Sequence, residues 1–350
     1  MKGVAFIAVF IAALTPFAVI VLLVYGSAQG VIVWSPPLLW TSQFGSSNLT
    51  SGVIGTASSN DGVYVVGVVN YTVGANHLVS FVPIVRQYRA DGSIAWTSTV
   101  GNIPRFYPTG IALGSDGVYG LGGASNASIV KSDLDGRPLW SLTMNRGIVL
   151  SAISASANGV YVAGSSDHPL TNQSFTGTNI MFLRRYDPNG SLVWTEEFSS
   201  SSDYVSGIYA GSSGVFVLTT LYVVGYSLGG RELWLHQVGI PLLMNPLSIS
   251  ADTSGVYFAD SIGECPLCPH TSFLSKYDLT GNVVWNVTFE SPDRSEPLGA
   301  LLTADSSGVY LSSSAGRYGF IEKYDQNGDS LWTMKTPLSQ RGDSPDWTIF

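Results

Sequence analysis

The chain has 350 residues, of which 45% are hydrophobic and only 11% charged, with 39 Gly, 17 Pro and a net charge of −8. That apolar content argues against a disordered chain and is enough for one large domain with a substantial core. The acidic balance argues against nucleic acid or an anionic lipid surface as the main partner.

Residues 4 to 24, VAFIAVFIAALTPFAVIVLLV, carry no charge and follow Lys2, the pattern of an export signal or a membrane anchor. The run is longer than a usual signal core, which favours an anchor. Gly26-Ser27-Ala28 is an acceptable small-residue cleavage site and Pro16 would disturb a spanning helix, which favours removal. Both readings stand, and in both one N-terminal hydrophobic helix within residues 1–28 precedes the fold. Residues 29–37 are read as a linker, with the remaining chain secreted or held at the cell surface.

After a lone strand, LLWTSQF (38 to 44), two phrases alternate along the chain. The first is NDGVYVVG (60 to 67), SDGVYGLG (115 to 122), ANGVYVAG (157 to 164), SSGVFVLT (212 to 219), TSGVYFAD (253 to 260) and SSGVYLSS (306 to 313). The second is YRADGSIAWTSTV (88 to 100), SDLDGRPLWSLTM (132 to 144), YDPNGSLVWTEEF (186 to 198), YSLGGRELWLHQV (226 to 238), YDLTGNVVWNVTF (277 to 289) and YDQNGDSLWTMKT (324 to 336). In each, a polar turn supplies Gly for a positive φ and feeds a strand of alternating character. In the second phrase Gly stands four residues before Trp, so Trp96, Trp140, Trp194, Trp234, Trp285 and Trp332 read as core wedges. With stretches such as GIALG, AISAS and SISAD preceding the first phrase, one repeat is four short antiparallel strands, A to D. Such sheets arrayed around an axis make an all-β propeller.

The repeats span about 45–100, 101–144, 145–198, 199–238, 239–289 and 290–336 within a domain at 38–336, leaving a tail at 337–350. Counted from Trp40, alternate tryptophans lie 100, 94 and 98 residues apart, so the duplicated unit is a pair of blades used three times. Six blades are therefore preferred, with LLWTSQF able to close the ring against the last. The tail segment DWTIF (346 to 350) resembles the start of another A strand, which keeps seven as the alternative.

FLSKYDLTGNVVWNVTF (273 to 289) and FLRRYDPNGSLVWTEEF (182 to 198) resemble the SBBP-type propeller repeat, over about residues 38 to 336. That resemblance implies a seven-bladed ring and no agreed activity. A more distant similarity is to quinoprotein propellers, which share Gly-x3-Trp and place a carboxylate-rich metal and quinone site on the ring axis. No such cluster occurs in the A strands here, and no cofactor is assigned.

In a four-strand meander the short A-to-B and C-to-D turns share one face, and the variable B-to-C and D-to-A connections share the other, where binding residues usually sit. The B-to-C connections are long in repeats one (69 to 80), three (165 to 179) and five (260 to 272). They carry Tyr71, His77, His168, Phe175 and His270, and the D-to-A connection of the first repeat adds Tyr107. Three His invite a metal site. Ligands must converge to about 2 Å from one ion, which alternate blade rims do not favour, and none is assigned. Cys265-Pro-Leu-Cys268 fits half a zinc site, a redox pair or a local disulfide; in an exported chain a disulfide staple is the preferred reading. The sequons at Asn48, Asn70, Asn126, Asn172 and Asn286 are candidate glycosylation sites, while Asn189 is explained by its Asn-Gly turn. Arg341-Gly342-Asp343 spells an adhesion tripeptide, a weak three-residue match. Asp187, Asp278 and Asp325 are read as turn caps rather than calcium ligands.

These features lead to the expectation of a non-catalytic surface module that binds a glycan, a peptide or an envelope protein through its long-connection face. The alternative is an extracellular lyase, hydrolase or quinoprotein with residues converging on the channel.

Overall fold

The computed structural model describes residues 11–14, 17–20, 51–59, 61–73, 78–99, 107–123, 126–171, 179–199, 203–238, 248–263, 270–290, 300–315 and 318–337. Six sheets follow one another, each of four antiparallel strands in chain order, A innermost and D outermost. Blade one is Ser51–Ser59, Gly62–Val73, Leu78–Tyr88 and Ile94–Thr99. Blade two is Tyr107–Gly114, Gly117–Gly123, Ala127–Ser132 and Pro138–Thr143. Blade three is Ile148–Ser156, Gly159–Ser166, Ile180–Tyr186 and Leu192–Ser199. Blade four is Val205–Gly211, Gly214–Thr219, Tyr222–Tyr226 and Glu232–Gln237. Blade five is Ser248–Ala251, Val256–Gly263, His270–Tyr277 and Val283–Glu290. Blade six is Ala300–Asp305, Gly308–Ala315, Tyr318–Tyr324 and Ser330–Pro337. The fold is a propeller of six four-stranded blades. The strand expected at 38 to 44 lies outside the described residues.

The core lies between blades. Tyr64, Val66 and Val85 of blade one pack on Val118 and Val130 of blade two, and Tyr257, Ala259 and Leu274 of blade five pack on Val309, Leu311 and Tyr324 of blade six. The B-strand aromatics, unlike the tryptophans, are among the large side chains most completely buried: Tyr64, Tyr119, Tyr161, Phe216, Tyr257 and Tyr310. Each lies 5.9 to 6.2 Å, ring centroid to centroid, from the Trp of its own D strand. Each of five tryptophans donates its indole N–H to a turn carbonyl of the next blade: Trp96 to Leu134, Trp140 to Pro188, Trp194 to Leu228, Trp234 to Leu279 and Trp285 to Gln326. The tryptophan therefore wedges blades together, being apolar on its faces and polar at its edge.

A cation one residue before the end of the C strand covers the buried tyrosine in four blades. Lys131, Arg185, Lys276 and Lys323 lie 4.8 to 6.0 Å from the Tyr ring centroids. Lys131 and Lys276 also reach the next blade, donating to the carbonyls of Pro188 and Gln326. Blade four changes three residues together. Phe216 replaces Tyr, Gly225 replaces the cation, and Trp234 turns to 28° from the Phe216 plane. A Cβ on Gly225 would lie 2.4 Å from that indole.

Ahead of the ring most of residues 4 to 24, where a helix is expected, lies outside the described residues. Ile11–Leu14 and Phe17–Ile20 pair as two antiparallel strands. Among the described residues no helix is long and apolar enough to cross a membrane.

Candidate functional site

The inner strands surround a channel of about 530 Å³ lined by residues from all six blades. Their serines have a structural use. Ser154 Oγ accepts the Ala210 N–H at 2.9 Å, and Ser248 and Ser250 accept the N–H groups of Leu302 and Ala304 at 3.1 and 3.0 Å. Hydroxyls of one blade thus satisfy the exposed edge of the next inner strand. In blades one to four the A strand also carries a bulge at one register, leaving Ile54, Thr109, Ser151 and Ser206 without a partner across the ladder. All four line the channel. The residue after each bulge is small because the next blade's isoleucine sits on it. A Cβ on Gly55, Gly110 or Gly207 would lie 3.0 to 3.3 Å from Cγ2 of Ile111, Ile153 or Ile249. Side chains from Ser, Thr, Ile, Leu, Ala and Tyr209 complete the lining, with no carboxylate, imidazole, amine or guanidinium among the residues described there. Burial, with the Asp252 charge adding to it, pushes the Tyr209 phenol up from its ordinary value.

The long connections turn out to be of two kinds. Blade one's B and C strands run on to Val73 and Leu78, so Tyr71 pairs with Ser80 inside a projecting hairpin rather than in a loop. Blade five does the same, with His270 paired to Gly263. Alternating β-branched and aromatic residues in VVNYTV and LVSFVP favour this extension. In blade three the B strand ends at Ser166 and the C strand begins at Ile180, and the described residues between them, 167–171 and 179, lie in no strand. Tyr107 opens blade two's A strand and pairs with Gly123.

Two buried carboxylates lie on this side of the ring: Glu197 secures the blade three connection, and Asp203 secures blade four's B-to-C turn. Glu197, 6% exposed, accepts the Leu170 N–H and the Thr171 hydroxyl. Asp203, fully buried, accepts from the Thr219 hydroxyl at 2.6 Å, from the Thr220 hydroxyl, and from the N–H groups of Tyr204 and Leu221 at 2.9 and 3.2 Å. Asn179, at the far end of the connection, donates to the Asp203 carbonyl. His168 sits beside Asp167, Nδ1 to Oδ1 2.6 Å, and both are open to solvent. Glu197 carries no motif; its signal is a carboxylate placed three residues beyond Trp194 in a strand whose neighbouring copies carry none there.

His77, Phe175, Cys265, Cys268, Asn48, Asn172 and the Arg-Gly-Asp tripeptide lie outside the described residues, as do the side chains of Tyr71, Tyr107, His270 and Asn70. Of the binding candidates, His168 is the one whose side chain is described. Asn126 and Asn286 are exposed. Asn286 borders a second cavity of about 190 Å³ between blades four and five, with Gln237, Phe258, Ser275 and Tyr277. Among the described residues no three His, Cys, Asp or Glu side chains are grouped to hold a metal ion. The C-to-D turn aspartates cap their turns: Asp187 Oδ1 accepts the N–H groups of Asn189 and Ser191, and Asp278 Oδ1 those of Thr280 and Asn282. Hydrogen bonds from Thr280 and Asn282 hold the Asp278 carboxyl down at about 2.

No protein-family model matches the chain, and no curated protein matches its sequence. Solved structures do share the fold. The Pan2 WD40 domain of Neurospora crassa is 14% identical with a TM-score of 0.52, covering 83% of this chain and 80% of its own. A structure from a study of two prolyl endopeptidases is 13% identical with a TM-score of 0.53, covering 93% of this chain but only 46% of its own length. A Bacteroides caccae protein of unknown function is 14% identical with a TM-score of 0.47, covering 78% of this chain and 93% of its own. The chain belongs with the β-propellers by fold, and likeness at this identity extends no further.

Proposed function

We propose that this protein is an exported or membrane-anchored, non-catalytic propeller that binds a glycan, a peptide or an envelope protein through the face carrying its long connections. Its repeat is of the SBBP type. The observation that carries the reading is the use made of Glu197 and Asp203. Buried carboxylates close to that face are the residues from which acid–base chemistry would be drawn. Both are instead engaged in ordering that face: Glu197 accepts hydrogen bonds from Leu170 and Thr171 of the blade three connection, and Asp203 from Thr219, Thr220 and Leu221 of blade four's B-to-C turn. The described channel lining of hydroxyl and aliphatic groups argues in the same direction against a lyase, hydrolase or quinoprotein site that draws ionisable groups from the inner strands.

The test shortens the three long connections to two-residue turns and compares capture of glycans and envelope extracts with that of the intact chain. The shortened chain, folded by circular dichroism, is expected to lose at least nine-tenths of the capture, about the tenfold that 1.4 kcal/mol represents. Undiminished capture would move the site to the channel or to the opposite face.

A further inference from the structure

Resting on that reading, we propose that the mouth of the channel on the long-connection face is a binding site for a neutral saccharide, with Tyr204 as the stacking platform and Thr109, Ser151 and Ser206 as hydrogen-bonding groups. The A strands start at that face, and their bulges fall near those starts: Thr109, Ser151 and Ser206 are the third, fourth and second residues of their strands. A bulge re-aims a side chain, and here three of the four re-aimed residues present hydroxyls to the channel.

Two positions before each of these hydroxyls the chain places a large apolar residue, Tyr107, Val149 and Tyr204 respectively. Two extended residues span about 7 Å, so these positions ring the mouth. Val149 is 58% exposed and Tyr204 64%, the highest value among the large apolar side chains described. The backbone at Tyr204 is also held in place. Its N–H donates to Asp203 Oδ1 at 2.9 Å and to Thr220 Oγ1 at 3.3 Å, and the same aspartate ties down Thr219, Thr220 and Leu221. An exposed tyrosine on an anchored backbone, two residues before the channel-lining Ser206, offers a ring on which an amphipathic ligand can stack with no backbone segment to order first.

The chemistry of the lining selects the ligand. A charged group entering the channel would lose water without gaining a counter-ion. A neutral pyranose sets its C–H face against Ile153, Ile208 or the Tyr204 ring and its hydroxyls against Ser and Thr. The volume of about 530 Å³ falls within the range of about 300 to 1,000 Å³ typical of small-ligand sites.

The experiment titrates the full chain by calorimetry with neutral tetrasaccharides of glucose, mannose and N-acetylglucosamine, each beside an acidic counterpart, tetragalacturonate or sialyl-lactose. At least one neutral tetrasaccharide is expected to bind, and no acidic one. Tyr204→Ala should weaken that binding about tenfold, Ser206→Val should weaken it by a smaller factor, and Tyr204→Trp should restore it. Absence of binding by every neutral tetrasaccharide, preference for an acidic one, or equal binding by Tyr204→Ala overturns the proposal. The chain with shortened connections separates the two readings. Sugar binding that survives shortening but not Tyr204→Ala supports the channel mouth and counts against the long connections. Loss only on shortening overturns the channel-mouth site and leaves the broader reading intact.

Discussion

Gly230 stands at φ +91°, and a Cβ there would lie 2.9 Å from Cδ2 of Trp194, the tryptophan of the preceding blade. Gly229, next to it, has only Ser227 Oγ within reach of a Cβ, at 3.8 Å. The pair separates two roles that a glycine-rich turn otherwise confounds. Gly230→Ala is expected to destabilise by about 2 to 4 kcal/mol, from left-handed strain plus overpacking, whereas Gly229→Ala stays within about 0.5 kcal/mol. Urea midpoints check this, and equal midpoints would remove the contact with Trp194 from the account. Gly and Trp of the Gly-x3-Trp signature are both legible in the sequence as a turn and a wedge. Their actual contact is not, because each glycine meets the tryptophan of the repeat before its own. Gly190 on Trp140, Gly281 on Trp234 and Gly328 on Trp285 repeat the arrangement. A pattern written within one repeat carries no mark of a contact made between two.

Each blade's B and C strands bury phenols at the junctions. Burial pushes Tyr257 up to about 12, with Asp252 adding to it and Ser254 and Gln326 opposing, and burial alone does the same to Tyr277. Burial likewise raises Tyr119, Tyr226 and Tyr324. Below pH 10 these groups are protonated in both folded and unfolded chains, and their contribution to stability is fully present. Between pH 10 and about 12 the unfolded phenols release protons that the folded ones retain, so stability falls as pH rises through that window. Urea unfolding at successive pH values is expected to show midpoints dropping from pH 10 upward, with tyrosinate absorbance appearing together with unfolding. Constant midpoints through the window would mean that the phenols are not sealed at the blade junctions. Strand order and turn positions were readable from the two repeated phrases, since turn glycines and alternation are local signals. The projecting hairpins of blades one and five were not. A strand that runs past its A-strand neighbour looks like a polar loop when composition alone is read, because its outer residues have no buried face. The bulges at Thr109, Ser151 and Ser206 were equally hidden, for a one-residue slip shows only against its ladder partner.

At the scale of the molecule, one face of the ring is clipped by two- to five-residue turns and the other carries the connections that vary most. Export, the glycosylation sites and the Cys265-Cys268 staple rest on sequence pattern alone. The reading of a binding module rests on two physical facts that no motif announces: buried Glu197 anchors the blade three connection while buried Asp203 anchors blade four's B-to-C turn, and the described channel lining is of uncharged hydroxyl and aliphatic groups. The most direct measurement is amide hydrogen exchange on the full chain, free and saturated with the envelope glycan or extract component it captures best. The account expects slowed exchange at Asp167–Thr171 and Asp203–Ser206, on the long-connection face, with the C-to-D turns unchanged. Protection confined to turns such as Asp133–Arg137 and Asp278–Asn282, on the opposite face, would contradict it.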